Sequence, residues 1–213
     1  MRLYTYFRSS ASYRVRIALE WKGIPRKDVF VDLASGEQLG PAYRALNPEC
    51  RVPLLVDGEI RLTQALAILE YLEEKYPEPS LLPADLAGRA RVRQLALVMI
   101  ADTQPLQNTG PYEFLRDPLG LDDRARFRWY QHWVSRGLGA LEAHLADDPR
   151  TGHFCHGDTP TLADLAMVPQ CSNARRGAIE LGQWPTVSRI YESCIELQQF
   201  QRAAPEAQPD AKP

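Results

Sequence analysis

Ser9-Ser10-Ala11-Ser12-Tyr13-Arg14 stands between an alternating apolar run at residues 3–7 and a helical pattern at 12–22. A hydroxyl cluster at a helix start faces unpaired backbone N–H groups and the positive end of the helix dipole. Such a place stabilises an anion, a thiolate included. A serine there can equally serve as a plain helix cap. Arg51-Val52-Pro53 opens a second candidate segment, where a proline at the first position of a strand is the ordinary alternative. Gln64-Ala65 begins a helical pattern, and Gln64 is either a ligand contact or a solvent-facing first turn. Arg8, beside the serines, offers a planar fork suited to a carboxylate and can also be a solvated surface arginine. His153, Cys155, His156 and Asp158 are too crowded for one tetrahedral metal site, and no metal is expected.

These residues need a frame, and 213 residues allow one large domain or two small ones. Hydrophobic residues at 45% and charged residues at 24% are ordinary globular proportions. A net charge of −2 gives no global field toward nucleic acid or an anionic membrane, and no partner of either kind is expected. No apolar run is long enough to span a bilayer, and residues 1–7 lack the pattern of a secretory leader. Cys50, Cys155, Cys171 and Cys194 lie far apart with no C-x-x-C pair, as expected of reduced thiols in a cytoplasmic protein.

The apolar periodicity predicts strands over 3–7 and 28–33 around a helix over 12–22, a parallel βαβ unit. A helix over 37–46 is stopped by Asn47-Pro48. Asp57-Gly58 between runs 52–56 and 59–62 predicts a hairpin, and 64–75 an amphipathic helix. Three prolines in 76–83 mark a linker. Beyond it the patterns at 87–100, 122–145, 162–173 and 186–199 are all helical. Thr161 and Asp164 have capping-box spacing. The alanine- and proline-rich tail, 203–213, is expected to pack loosely. The fold class is therefore α/β plus all-α, with an N-terminal domain over 1–82 and a helical domain over 83–213.

The string from Ser9 to Leu19 resembles the signature of zeta-class glutathione transferases. So do Ala45-Leu46-Asn47-Pro48 leading to Val52-Pro53, Thr63-Gln64 leading to Ile68 and Tyr71, Gln104-Pro105-Leu106-Gln107-Asn108, and Val168-Pro169-Gln170 leading to Asn173 and Arg176. The resemblance covers nearly the whole chain, including Gln208-Pro209-Asp210. It implies a thioredoxin-like domain followed by a helical bundle, glutathione as cofactor, and cis-trans isomerisation of a maleyl dicarboxylate such as maleylacetoacetate. On this resemblance Ser9 activates the thiol with Ser10 beside it. Gln38, Val52, cis Pro53, Gln64, Ala65 and Gln104 hold glutathione, and Asn108 and Arg176 hold the substrate, with Arg8, next to the thiol site, the other candidate arginine. The family's homodimer is also implied, with Glu70, Glu73 and Glu74 facing Arg89, Arg91 and Arg93 across the two-fold axis.

Two positions depart from the pattern. Ala11 stands where the family carries cysteine, and Ala65 where it carries serine. A lost hydrogen bond to a charged group is worth about 1.5–3 kcal/mol, so Ala65 implies weaker glutathione binding. Two rival functions follow: a maleylpyruvate isomerase or general glutathione transferase, and a catalytically impaired binding protein of the same fold. Thr109-Gly110 after Asn108 favours the maleylacetoacetate pattern over the maleylpyruvate one. The intact Ser9, Val52-Pro53, Gln64 and Gln104 weigh against the impaired reading.

Overall fold

Four short strands pair in the order β2-β1-β3-β4. In the computed structural model, which describes residues 1–212, they are β1 (Arg2–Thr5), β2 (Lys27–Phe30), β3 (Leu54–Asp57) and β4 (Ile60–Thr63). β1 and β2 run parallel because helix α1 (Ser10–Trp21) crosses between them. β3 and β4 close antiparallel through Asp57-Gly58, where Gly58 adopts φ 62°, open to glycine at no steric cost. The expected helix over 37–46 is instead a 3₁₀ turn (Glu37–Leu39) and α2 (Pro41–Leu46). Pro41 has no N–H and disfavours helical backbone before it, so Gly40 is extended at φ −66°, ψ 153°. Helix α3 (Ala65–Lys75) follows β4.

The chain divides into two compact units, Met1–Ser80 with everything from Glu196 onward, and Leu81–Ile195. The boundary expected at 82/83 therefore moves slightly, because Leu81 and Leu82 are buried and the Leu81 carbonyl accepts from Leu162 N–H at 2.9 Å. The tail is a larger correction. The helix expected over 186–199 is α9 (Pro185–Ile195) in the second unit, then α10 (Gln198–Ala203) in the first. Phe200 and Ala203 are fully buried, and α10 packs on α1. The cause is Arg16, fully buried on α1, whose guanidinium must find acceptors. Its Nε donates to the Ala203 carbonyl at 2.9 Å and its Nη1 to Thr5 Oγ1 at 3.0 Å. Burial lowers its pKa to about 10, which leaves it charged at neutral pH.

The second unit is helical: α4 (Leu86–Leu97), a π-helical stretch (Val98–Thr103), α5 (Gln104–Gln107), α6 (Thr109–Arg116), α7 (Asp123–Leu145), α8 (Leu162–Arg176) and α9. Pro105 lacks an N–H for the ladder, and the widened turn lies just ahead of it. Gly137 of α7 admits that stretch, since a Cβ there would sit 2.0 Å from Thr103 Oγ1. Thr161 and Asp164 form the capping box, with Asp164 Oδ2 accepting from Thr161 N–H at 2.7 Å and Oδ1 from Cys155 N–H at 2.8 Å. Burial raises the Asp164 pKa, against the pull of those hydrogen bonds.

Two of the charges assigned to a subunit interface are used inside the chain. Glu73 is buried against Lys22 Nζ at 2.7 Å, in the first unit. Arg91 is buried in the second, donating to Asp148 at 3.0 Å and to the Cys155 carbonyl at 2.7 Å. Neither presents a charged face outward.

Candidate active site

The sheet's own register gathers four segments at one end. Thr5 ends β1 opposite Phe30, which ends β2, and Tyr4 pairs with Leu54, which begins β3. Leu54 in turn pairs with Thr63, which ends β4. The chain therefore leaves or enters this end at 6–9, 31–38, 52–53 and 64–65, the segments that carry Ser9, Gln38, Val52 and Gln64.

Ser9 is the N-cap of α1 with extended backbone, and its Oγ accepts from Ser12 N–H at 3.2 Å. That bond occupies a lone pair and leaves the hydroxyl proton free to donate. One serine thus caps the helix and still offers a donor, so the cap does not exclude a chemical role. Ser10 is the first helical residue and half-buried, as is Ala11. The loop ahead is braced from several sides: Ser9 N–H donates to the Tyr6 carbonyl at 3.0 Å, Arg16 donates to the Tyr6 and Phe7 carbonyls at 3.2 and 3.1 Å, and Phe7 N–H donates to Asp210 at 2.9 Å. Arg8 is exposed, with no ion pair among the described residues.

The Val52–Pro53 peptide is cis. Val52 packs with Val31 and Tyr43, and neither its N–H nor its carbonyl joins a turn, loop or cap hydrogen bond among the described residues. The preceding carbonyl, that of Arg51, accepts from Tyr43 Oη at 2.8 Å and Asn47 Nδ2 at 2.7 Å. Asn47 is fully buried and also accepts from Glu49 N–H at 2.9 Å, so it organises the whole 47–51 turn. Sequence reading used Asn47 as a helix stop and as part of the Ala45–Pro48 motif, without a role in the 47–51 turn, and did not single out Tyr43. Its proximity to Pro48 was the available signal. Burial pushes the Tyr43 pKa up to about 12.

Gln64 sits at φ 65°, an uncommon region for a non-glycine residue, and α3 begins after it without a side-chain cap. Ala65 is buried. Gln64 Nε2 donates to Glu49 Oε2 at 2.6 Å, and Thr63 Oγ1 to Glu49 Oε1 at 2.6 Å. The Gln64 amide expected to meet a ligand carboxylate therefore meets a carboxylate of the chain itself, a partner sequence reading missed. Gln38 is half-buried in the 3₁₀ turn, and its buried Oε1 has no hydrogen-bond partner among the described residues. The fit to a tripeptide thiol is good in kind: a free hydroxyl donor at a helix N-terminus, an unengaged backbone edge at Val52, an uncapped helix start at Ala65 and a spare amide acceptor at Gln38.

In the second unit, Gln104 begins α5 and is half-buried. Asn108 caps α6, its Oδ1 accepting from Thr109 N–H at 2.8 Å. Trp129 Nε1 donates to the Leu106 carbonyl at 2.6 Å and so ties this turn to α7. Arg176 is the last residue of α8, exposed, and donates to Asn173 Oδ1. His153, Cys155, His156 and Asp158 are spent structurally: Asp158 accepts from His153 N–H at 3.1 Å, His156 Nδ1 lies 3.2 Å from Arg91, and Cys155 is buried. No described helix is long and apolar enough to cross a membrane.

A four-stranded mixed sheet carrying this site, joined to a helical unit, is the architecture of the glutathione S-transferases, and the chain belongs to that family. Residues 1–74 match the glutathione S-transferase N-terminal domain and residues 125–189 the C-terminal domain. Within the family, the chain is 47% identical over 211 residues to a maleylpyruvate isomerase of Ralstonia sp., covering 99% of this chain and 100% of that protein. It is 44% identical over 213 residues to the maleylacetoacetate isomerase of Pseudomonas aeruginosa, covering 99% and 98%. The crystal structure of a maleylacetoacetate isomerase from Methylobacterium extorquens AM1, with bound malonate and GSH, superposes with a TM-score of 0.97 at 40% identity over all of both chains.

Proposed function

We propose that the protein is a glutathione-dependent cis-trans isomerase of a maleyl dicarboxylate. The observation that carries this reading is the Ser9 hydroxyl, which caps α1 through its oxygen and retains its proton for a thiolate. When bound, glutathione supplies a thiolate that adds reversibly to the maleyl double bond, lets the bond that becomes single rotate, and leaves from the trans product. Ser9 donates to the sulfur anion, and the dipole of α1 favours the same charge. Val52 offers its backbone edge to the cysteinyl unit. Gln64 and the Ala65 N–H take the γ-glutamyl carboxylate, with Gln64 turning from Glu49 to do so. Gln38 faces the glycyl end, and Ser10 and Gln104 complete the contacts. Arg8, Asn108 and Arg176 bind the dicarboxylate, whose two charges call for bidentate cations.

Maleylacetoacetate is the substrate favoured by Thr109-Gly110 following Asn108. Maleylpyruvate is the second reading, supported by the 47% identity to the Ralstonia enzyme. The protein works as a homodimer in the cytoplasm, the latter supported by four free cysteines. The decisive assay offers both maleyl compounds with and without glutathione. Light scattering at micromolar concentration tests the dimer, and a monomeric mass would rule it out.

A further inference from the structure

Behind Arg176 runs a string of amides that the proposed chemistry has not used. Arginine has no acceptor atom, so the side chain it donates to, Asn173, must turn Oδ1 toward it. Asn173 Nδ2 then faces Gln170, whose Oε1 accepts from it at 3.1 Å. The same Oε1 accepts from Gln107 Nε2 of α5 at 3.0 Å. Gln170 is fully buried, while Asn173 and Gln107 are 6% and 9% exposed. The Asn173 carbonyl is pinned as well, by Tyr130 Oη at 2.7 Å and Gly177 N–H at 3.0 Å. The arginine at one end thus sets the direction of every amide in the string.

This arrangement is costly to the fold. Gln170 Nε2 and Gln107 Oε1 are left buried with no hydrogen-bond partner among the described residues. Stability alone would be served better by apolar side chains of similar volume at both positions. What the string gains is a fixed orientation for one amide oxygen, and that oxygen holds the guanidinium.

We propose that Asn173, oriented by Gln170 and Gln107, is a positioning residue that presents the Arg176 guanidinium to a substrate carboxylate. This rests on the reading of Arg176 as a carboxylate-binding residue. A loosely held arginine must be ordered at the moment of binding. An arginine already held in place loses less side-chain freedom, so the string acts on substrate affinity and leaves the thiol chemistry alone.

The test measures steady-state kinetics of the full-length protein with glutathione and whichever of maleylacetoacetate and maleylpyruvate the wild type turns over faster, in Gln170→Met, Asn173→Ala, Asn173→Asp and Arg176→Ala. Gln170→Met, which keeps the volume but has no acceptor for Asn173, should raise the KM for that maleyl substrate by about threefold to tenfold. The kcat and the glutathione KM should stay within about twofold, a split that general loosening would not produce. Asn173→Asp keeps an oxygen for Arg176 and should raise KM less than Asn173→Ala, which guards against misfolding of the buried Gln170 variant. Placed on Arg176→Ala, the Gln170 and Asn173 changes should have no further effect on KM, because the residue they act through is gone. Multiplying effects in that background would overturn the inference, as would an unchanged KM in Gln170→Met and Asn173→Ala while Arg176→Ala raises it. An unchanged KM in Arg176→Ala would instead defeat the underlying reading of Arg176.

Discussion

Asp210 accepts a 2.9 Å hydrogen bond from the backbone N–H of Phe7, across 203 positions of sequence. Phe7 lies two residues before Ser9, and its carbonyl is held by Arg16 at 3.1 Å. The tail therefore helps to shape the loop that delivers the serine to its helix. Asp210→Ala should lower the unfolding free energy by about 1–3 kcal/mol, the cost of leaving a buried donor unpaired. It should also raise the glutathione KM. Urea denaturation with parallel kinetics checks both, and unchanged values would show that the tail contact is incidental.

Ser9→Ala removes the α1 cap and, on the proposed mechanism, the thiolate donor together. The lost cap should cost roughly 1 kcal/mol in stability. The lost donor should slow isomerisation by about one to two decades near neutral pH, and by less in alkali, where free thiolate is plentiful. Ser10→Ala should do much less. Full activity in Ser9→Ala at every pH, with none in Ser10→Ala, would assign the role to the other hydroxyl.

Ala65→Ser adds a hydroxyl at the start of α3, beside Gln64. If Gln64 and the helix start receive the γ-glutamyl carboxylate, glutathione should bind up to about tenfold more tightly. Calorimetry measures this directly. No change would mean that the backbone already provides the whole contact.

Tyr43 gives a pH signature. Its folded pKa is raised from the ordinary value of 10.0 to about 12 by burial. The folded state thus favours the neutral hydroxyl, which donates to the Arg51 carbonyl at 2.8 Å. The stability it contributes is full below pH 10 and is lost as pH rises from there through about 12. Tyr43→Phe should be less stable near neutral pH by about 0.5–1.5 kcal/mol, and its stability should fall less steeply across that alkaline window. Parallel curves for the two proteins would contradict the assignment.

The parts legible in the sequence were those whose physics is local. Asp57-Gly58 specifies its own hairpin, Thr161 and Asp164 their own cap, and the Ser9 string its own helix start. Helix α6 was missed because Thr109-Gly110-Pro111 looks like a breaker. Yet the proline falls in the first turn, where its missing N–H costs nothing. The tail was misjudged because composition says nothing of the buried Arg16 that takes the Ala203 carbonyl as an acceptor. Glu49 was overlooked because its partners, Thr63 and Gln64, lie 14 and 15 residues away and meet it only once the sheet register is set.

The central claim is tested most directly by incubating the purified protein with maleylacetoacetate and a substoichiometric amount of glutathione, and following conversion to the fumaryl isomer. The account predicts many turnovers per glutathione, none without it, and a rate about one to two decades lower in Ser9→Ala. No turnover of either maleylacetoacetate or maleylpyruvate at saturating glutathione would contradict it.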